Sequence, residues 1–181
     1  MINKTNSALL IIDMQTKLIP AMHNNQLLLE NSAKLLKAMK ILQVPIISTV
    51  QYKKGLGDTL PQLKSLLPND EFQDIEKFEF SCVKNSTFFE KLQLLDRQKI
   101  FVIGAEAHVC VQQTVLDLMD EDYHPIVIAD CISSRNQYDK TVAIERMSNY
   151  GADITTYEAA VFDLLKTSKA DEFKAVSNIV K

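Results

Sequence analysis

Two hydrophobic periods alternate along this chain, and that alternation constrains its fold more than any other feature. Residues 8–12, 44–50, 100–103, 125–129 and 153–156 are short apolar runs rich in β-branched side chains, and 75–78 is a shorter extended piece. Runs of this kind bury both faces of a strand, which suits a parallel sheet covered by helices on either side. Between the runs, apolar residues fall at helical spacing. Leu28, Leu35, Met39 and Leu42 are seven, four and three positions apart, so one face of a helix over 25–43 is apolar. Val111, Val115 and Leu118 repeat the pattern after the run ending at Gly104. Ala143, Met147 and Tyr150 repeat it before Gly151, a glycine placed to stop a helix. The tail over 170–180 reads as a helix packing outside the sheet or on another subunit. The repetition predicts a three-layer α/β/α architecture.

A chain of 181 residues buries roughly 70% of the surface it exposes when unfolded, which is enough for one core. No repeat, low-complexity tract or Pro/Gly-rich linker divides it, and only four glycines occur; a single domain over 1–181 is expected. The formal charge of -3 is spread along the chain. No basic stripe is available to neutralise phosphates and no polybasic segment to hold an anionic membrane, so neither nucleic acid nor membrane is expected as a partner. The apolar run at 8–12 stops at Asp13, far short of a signal peptide or a membrane span, so a cytoplasmic location is expected.

Right-handed crossovers bring the carboxyl ends of parallel strands to one edge, where open α/β sheets build their sites. Three reactive side chains can reach that edge. Asp13 ends the first run, Lys77 lies in the short extended piece, and Cys110 follows the strand ending at Gly104 by six residues, where a helix begins. A helix amino terminus and a nearby ammonium both lower a thiol pKa from about 8.5, and Lys77 can supply the ammonium. A carboxylate in reach can take the thiol proton and later deliver it to a departing amine, as acyl transfer requires. Each residue alone has a plainer reading: a packed thiol, a helix cap, a solvated amine.

Other chemistries find less support. Cys82, Cys110 and Cys131 form no CxxC pair, so neither a disulfide framework nor a zinc knuckle is indicated. His23, His108 and His124 are far apart, and no catalytic metal is expected. The turn after the first run is Asp13-Met14-Gln15-Thr16, without the glycines a pyrophosphate needs, and no P-loop occurs. No cofactor is expected. His108 reads as a hydrogen-bonded or solvated side chain, and Cys131 as a small packed one.

Five ordered blocks carry a resemblance. Leu10-Ile11-Ile12-Asp13-Met14-Gln15, Gln51 to Gly57, Lys77-Phe78-Glu79-Phe80-Ser81, Gly104 to Val111 followed by Gln113-Thr114, and Asp130 to Arg135 resemble the motifs of isochorismatase-like cysteine hydrolases, most of all the isochorismatase domain-containing branch. The resemblance runs from Ala8 to about Glu158. It implies a six-stranded parallel sheet of Rossmann-like topology, with Cys110 as nucleophile, Asp13 as general base and then acid, and Lys77 stabilising charge on both. It also implies a cis peptide between Ala105 and Glu106, an oxyanion hole made by the backbone N–H groups of Glu106 and Cys110, and a homo-oligomer.

The chain departs from that pattern twice. Ser81-Cys82-Val83 stands where relatives often carry Ser-Ala-Phe, so the pocket wall there differs. Gln51 and Tyr52 replace the metal-binding Asp-x-His set of nicotinamidases; they end the second strand and are candidates to line a substrate pocket. The expected activity is cysteine-dependent hydrolysis of a small amide, carbamoyl or related C–N bond through a thioester. The alternative is a catalytically silent member acting as a binding or scaffold oligomer.

Overall fold

Alternation of side chains within each strand decides how the layers form. The structure is a computed structural model that describes residues 2–67 and 73–181; of the span 1–181, Met1 and 68–72 lie outside the described residues. Strands β1 (Ser7–Ile12), β2 (Ile46–Gln51), β3 (Ile75–Lys77), β4 (Lys99–Ala105), β5 (His124–Ser133) and β6 (Asp153–Thr155) form a parallel sheet in the order β3-β2-β1-β4-β5-β6. The helices are α1 (Asn25–Ile41), α2 (Lys53–Leu56), α3 (Pro61–Lys64), α4 (Ser86–Leu94), α5 (Gln112–Asp120), α6 (Gln137–Tyr150), α7 (Tyr157–Leu165) and α8 (Phe173–Val180). Leu9 and Ile11 of β1 point with Phe101 and Ile103 of β4 into a core closed by α1, α7 and α8. Ala8, Leu10 and Ile12 point with Ile100 and Val102 into a second core closed by α4, α5 and α6. Successive residues thus serve opposite faces, and the three layers follow.

The expected strands and the helix over 25–43 are present with ends shifted by a few residues, and Gly151 ends α6 at a φ of 114°. The tail helix packs over α1 and α7 with Val176 fully buried. Sequence periodicity did not reveal α4 and α7. In α4, Asn85 accepts the Phe88 N–H at 3.0 Å, and Phe88 and Leu92, one turn apart, are buried; that cap and spacing were the available signal. In α7, Tyr157, Ala160, Val161, Leu164 and Leu165 are buried at helical spacing, so a signal lay in the sequence there too.

Register then sets the site. Ile12 of β1 lies opposite Thr49 of β2 and Gly104 of β4, and Gln51 of β2 lies opposite Lys77 of β3. The strand order reverses about β1, which has β2 on one side and β4 on the other. Crevices at such a switch point are where α/β folds bind ligands. Gly104 is required there: at its φ of +131° a Cβ would collide with the carbonyl group of Ile12.

Candidate active site

The chain leaves β1 through Asp13, whose φ of 53° is left-handed, a conformation aspartate tolerates better than most residues. Its carboxylate is fully buried. Oδ2 accepts from the Lys77 ammonium at 2.7 Å and Oδ1 from the Thr49 hydroxyl at 2.9 Å. Lys77 is equally buried. Besides Asp13 its Nζ has Gln51 Oε1 at 2.6 Å and the carbonyl oxygens of Glu79 and Phe80 at 3.2 Å each. A buried ammonium with no carboxylate partner would be driven to lose its charge. Here burial works to lower the Lys77 pKa, but the Asp13 carboxylate foremost, then Cys82 and Cys110, outweigh it and the pKa is raised.

Cys110 sits on a turn of π-helix, Ala107–Val111, that runs directly into α5. The Val111 N–H donates to Glu106 O, five residues back, at 3.2 Å, and the Ala105–Glu106 peptide that opens this turn is cis. The thiol is 6% exposed and within hydrogen-bond reach of the Asp13 side chain. Asp13, Lys77 and Cys110 therefore meet at one point.

One expectation is corrected. The thiol pKa was expected to fall, yet burial first and the Asp13 charge second push it up to about 12, with Lys77 opposing them. Cys110 stands inside the turn among apolar neighbours, so desolvation of a thiolate outweighs the helix end and the ammonium.

Neighbouring residues complete the network. The Thr49 hydroxyl gives its only proton to Asp13, so at its 3.7 Å contact with Cys82 Sγ the sulfur is the donor. Burial pushes the Cys82 thiol up to about 11, which keeps that proton on sulfur. Gln51, expected to line the substrate pocket, uses its amide inside the protein: Oε1 accepts from Lys77 and Nε2 donates to Phe78 O at 2.8 Å. Tyr52 is 46% exposed and its ring lies 5.9 Å from that of Phe78. His108 Nδ1 bonds the Ser134 hydroxyl at 2.9 Å, and Arg135 Nε donates to Glu106 Oε2 at 2.9 Å. Cys131 is fully buried in the α1 core. Among the described residues, no group of three or more His, Cys, Asp and Glu is placed to hold a metal ion, and no helix is long and apolar enough to cross a membrane. Thr49 and the lysine-holding part of Gln51 escaped sequence reasoning, because strand register alone brings them to the site; Cys82, expected in the pocket wall, arrives on the 3-10 turn after β3.

The sequence that builds this three-layer α/β/α fold matches a family model. The isochorismatase domain model covers residues 7–159, and the chain belongs to that family. It is 34% identical over 179 residues to isochorismatase domain-containing protein 2 of Xenopus laevis, covering 99% of this chain and 85% of that one. A solved structure described as the MAR1 ribonuclease of Caenorhabditis elegans is 36% identical with a TM-score of 0.93, covering 99% and 91% of the two chains. The Escherichia coli YcaC gene product, described as an octameric hydrolase of unknown specificity, shares the fold at 21% identity and a TM-score of 0.92, covering 98% and 88%. The fold is that of isochorismatase-family hydrolases.

Proposed function

We propose that the protein is a cysteine-dependent hydrolase of a small amide, carbamoyl or related C–N bond. The observation that carries this reading is the fully buried 2.7 Å pair of Lys77 and Asp13 beside the Cys110 thiol. Asp13 takes the thiol proton as sulfur attacks the carbonyl carbon, since the thiol is protonated at rest and needs a base within reach. Lys77 holds the carboxylate in place and balances the charge of the forming thiolate. The backbone N–H groups of Glu106 and Cys110 receive the oxyanion, a role worth about 3–4 kcal/mol per donor. The proton then passes from Asp13 to the leaving nitrogen, the C–N bond breaks, and a thioester remains. Water attacks it with Asp13 again as base, and the proton returns to sulfur as the acid departs. In this scheme Gln51 orients Lys77, and Tyr52 stands at the rim where a substrate enters.

The name of the C. elegans relative raises RNA as a substrate. A small substrate is favoured here because the thiol is 6% exposed and its two partners are fully buried, a recess that admits a small acyl group more readily than a polynucleotide. A homo-oligomer accompanies the proposal, from the family resemblance.

The test is a panel of small amides and carbamoyl compounds, with a single-stranded RNA as a further arm. Turnover is expected with a small amide and not with RNA. Cys110→Ala should abolish turnover while keeping the melting temperature, and mass spectrometry of the wild-type protein should trap an acyl group on Cys110. Full activity in Cys110→Ala, or cleavage of RNA alone, overturns the proposal.

A further inference from the structure

A cavity of about 420 Å³ lies at the carboxyl end of β5, within the size range of small-molecule sites. Register produces it. Val102 of β4 lies opposite Val127 of β5, but Gly104 lies opposite Ile132, so β5 carries extra residues that bulge out of the ladder. Strand β6 pairs with β5 only as far as Ile128. Beyond that point Ala129 and Asp130 face open space between the first turns of α1 and α6 instead of another strand. The walls are mostly apolar: Leu27, Leu28, Ile132 and Ile144.

Two charged side chains line this cavity, and they differ in one respect. The Asp130 carboxylate is engaged, accepting the Tyr157 N–H at 2.9 Å and so satisfying the start of α7. The Lys140 ammonium is half-buried and forms no hydrogen bond or ion pair among the described residues; it feels Asp130 only at a distance. Burial works to lower its pKa, the mark of a charge that lacks compensation. An anion in the cavity would supply that compensation.

We propose that the cavity binds a small aliphatic monocarboxylate, its carboxylate on Lys140 and its chain against Leu27, Leu28, Ile132 and Ile144. One ammonium matches one negative charge. The nearby Asp130 carboxylate opposes a second, which disfavours phosphate and dicarboxylates. Apolar walls favour a short chain over a fully polar ion. The site is separate from Cys110: none of Asp13, Lys77 and Cys110 lines the cavity, whose wall includes Ser133, while the next residue, Ser134, bonds His108 on the nucleophile turn. The proposal therefore does not depend on the hydrolase reading.

Ligand-detected NMR on the full chain tests it with acetate, butyrate, hexanoate and inorganic phosphate as probes. Hexanoate should bind with Kd of about 1 mM or below and more tightly than acetate, and phosphate should not displace it. Lys140→Met should weaken hexanoate at least about tenfold, Lys140→Arg should retain it, and Cys110→Ser should leave it unchanged. No binding by the wild-type chain, equal binding by Lys140→Met, displacement by phosphate, or loss in Cys110→Ser overturns the proposal. The last result would place the carboxylate at the hydrolase site.

Discussion

Two charges of opposite sign press on the Cys110 thiol, and each can be removed on its own. The Asp13 carboxylate raises the thiol pKa by its charge and by accepting the thiol proton, while Lys77 lowers it. In the wild type, iodoacetamide labelling of Cys110 should therefore be slow near neutrality and rise about tenfold per pH unit between about pH 7 and 9, as the thiolate fraction grows. At one pH in that range Asp13→Asn should speed labelling and Lys77→Met should slow it. Turnover should fall in both variants. Faster alkylation with lost hydrolysis is the signature of a base that takes the proton, and slower alkylation in Asp13→Asn would contradict that role. The positions of all three residues were legible as motifs that end strands or begin a helix. The direction of the thiol pKa was not, because a sequence shows which charges are present but not how much water reaches them.

Elements contribute through how they begin and how closely they approach. Asn85 caps α4 by accepting the Phe88 N–H, so Asn85→Ala should cost about 1 kcal/mol, or about 2–4 °C in melting temperature for a chain of this size. Gly104→Ala belongs to a different class. There a Cβ would meet the Ile12 backbone in the middle of the β1–β4 ladder, and backbone cannot swing aside as a flexible side chain can. The variant should melt far below Asn85→Ala or fail to fold, as read by circular dichroism and solubility. A melting temperature within a few degrees of wild type would show that β1 and β4 can separate without loss. From sequence, Gly104 was readable as the end of an apolar run and the start of a motif block. The need for a glycine there comes from which residue of β1 it faces.

At the scale of the whole molecule, the three buried thiols make folding depend on alkaline pH, Cys131 raised by burial in the same direction as the other two. Burial raises Cys110 from its ordinary 9.0 to about 12 and Cys82 to about 11. Both hold their protons more tightly when folded than when unfolded. The stability this contributes is fully present below pH 9 and is lost as pH rises toward 11 and 12, because the unfolded chain ionises first. The melting temperature should therefore fall between about pH 9 and 10.5 more steeply in the wild type than in Cys82→Ala, and parallel curves would contradict the assignment. By itself the sequence determined the layers, since alternating periods dictate which faces must be buried, and it determined which acid, amine and thiol stand where strands end. Tertiary structure alone decided the rest: that Gln51 and Thr49 hold Lys77 and Asp13, that Cys82 stands behind them, and that the Lys140 ammonium forms no ion pair among the described residues. The reason is physical, because pairing register and exclusion of water are properties of segments brought together from far apart, and no local pattern of residues encodes the distance between them.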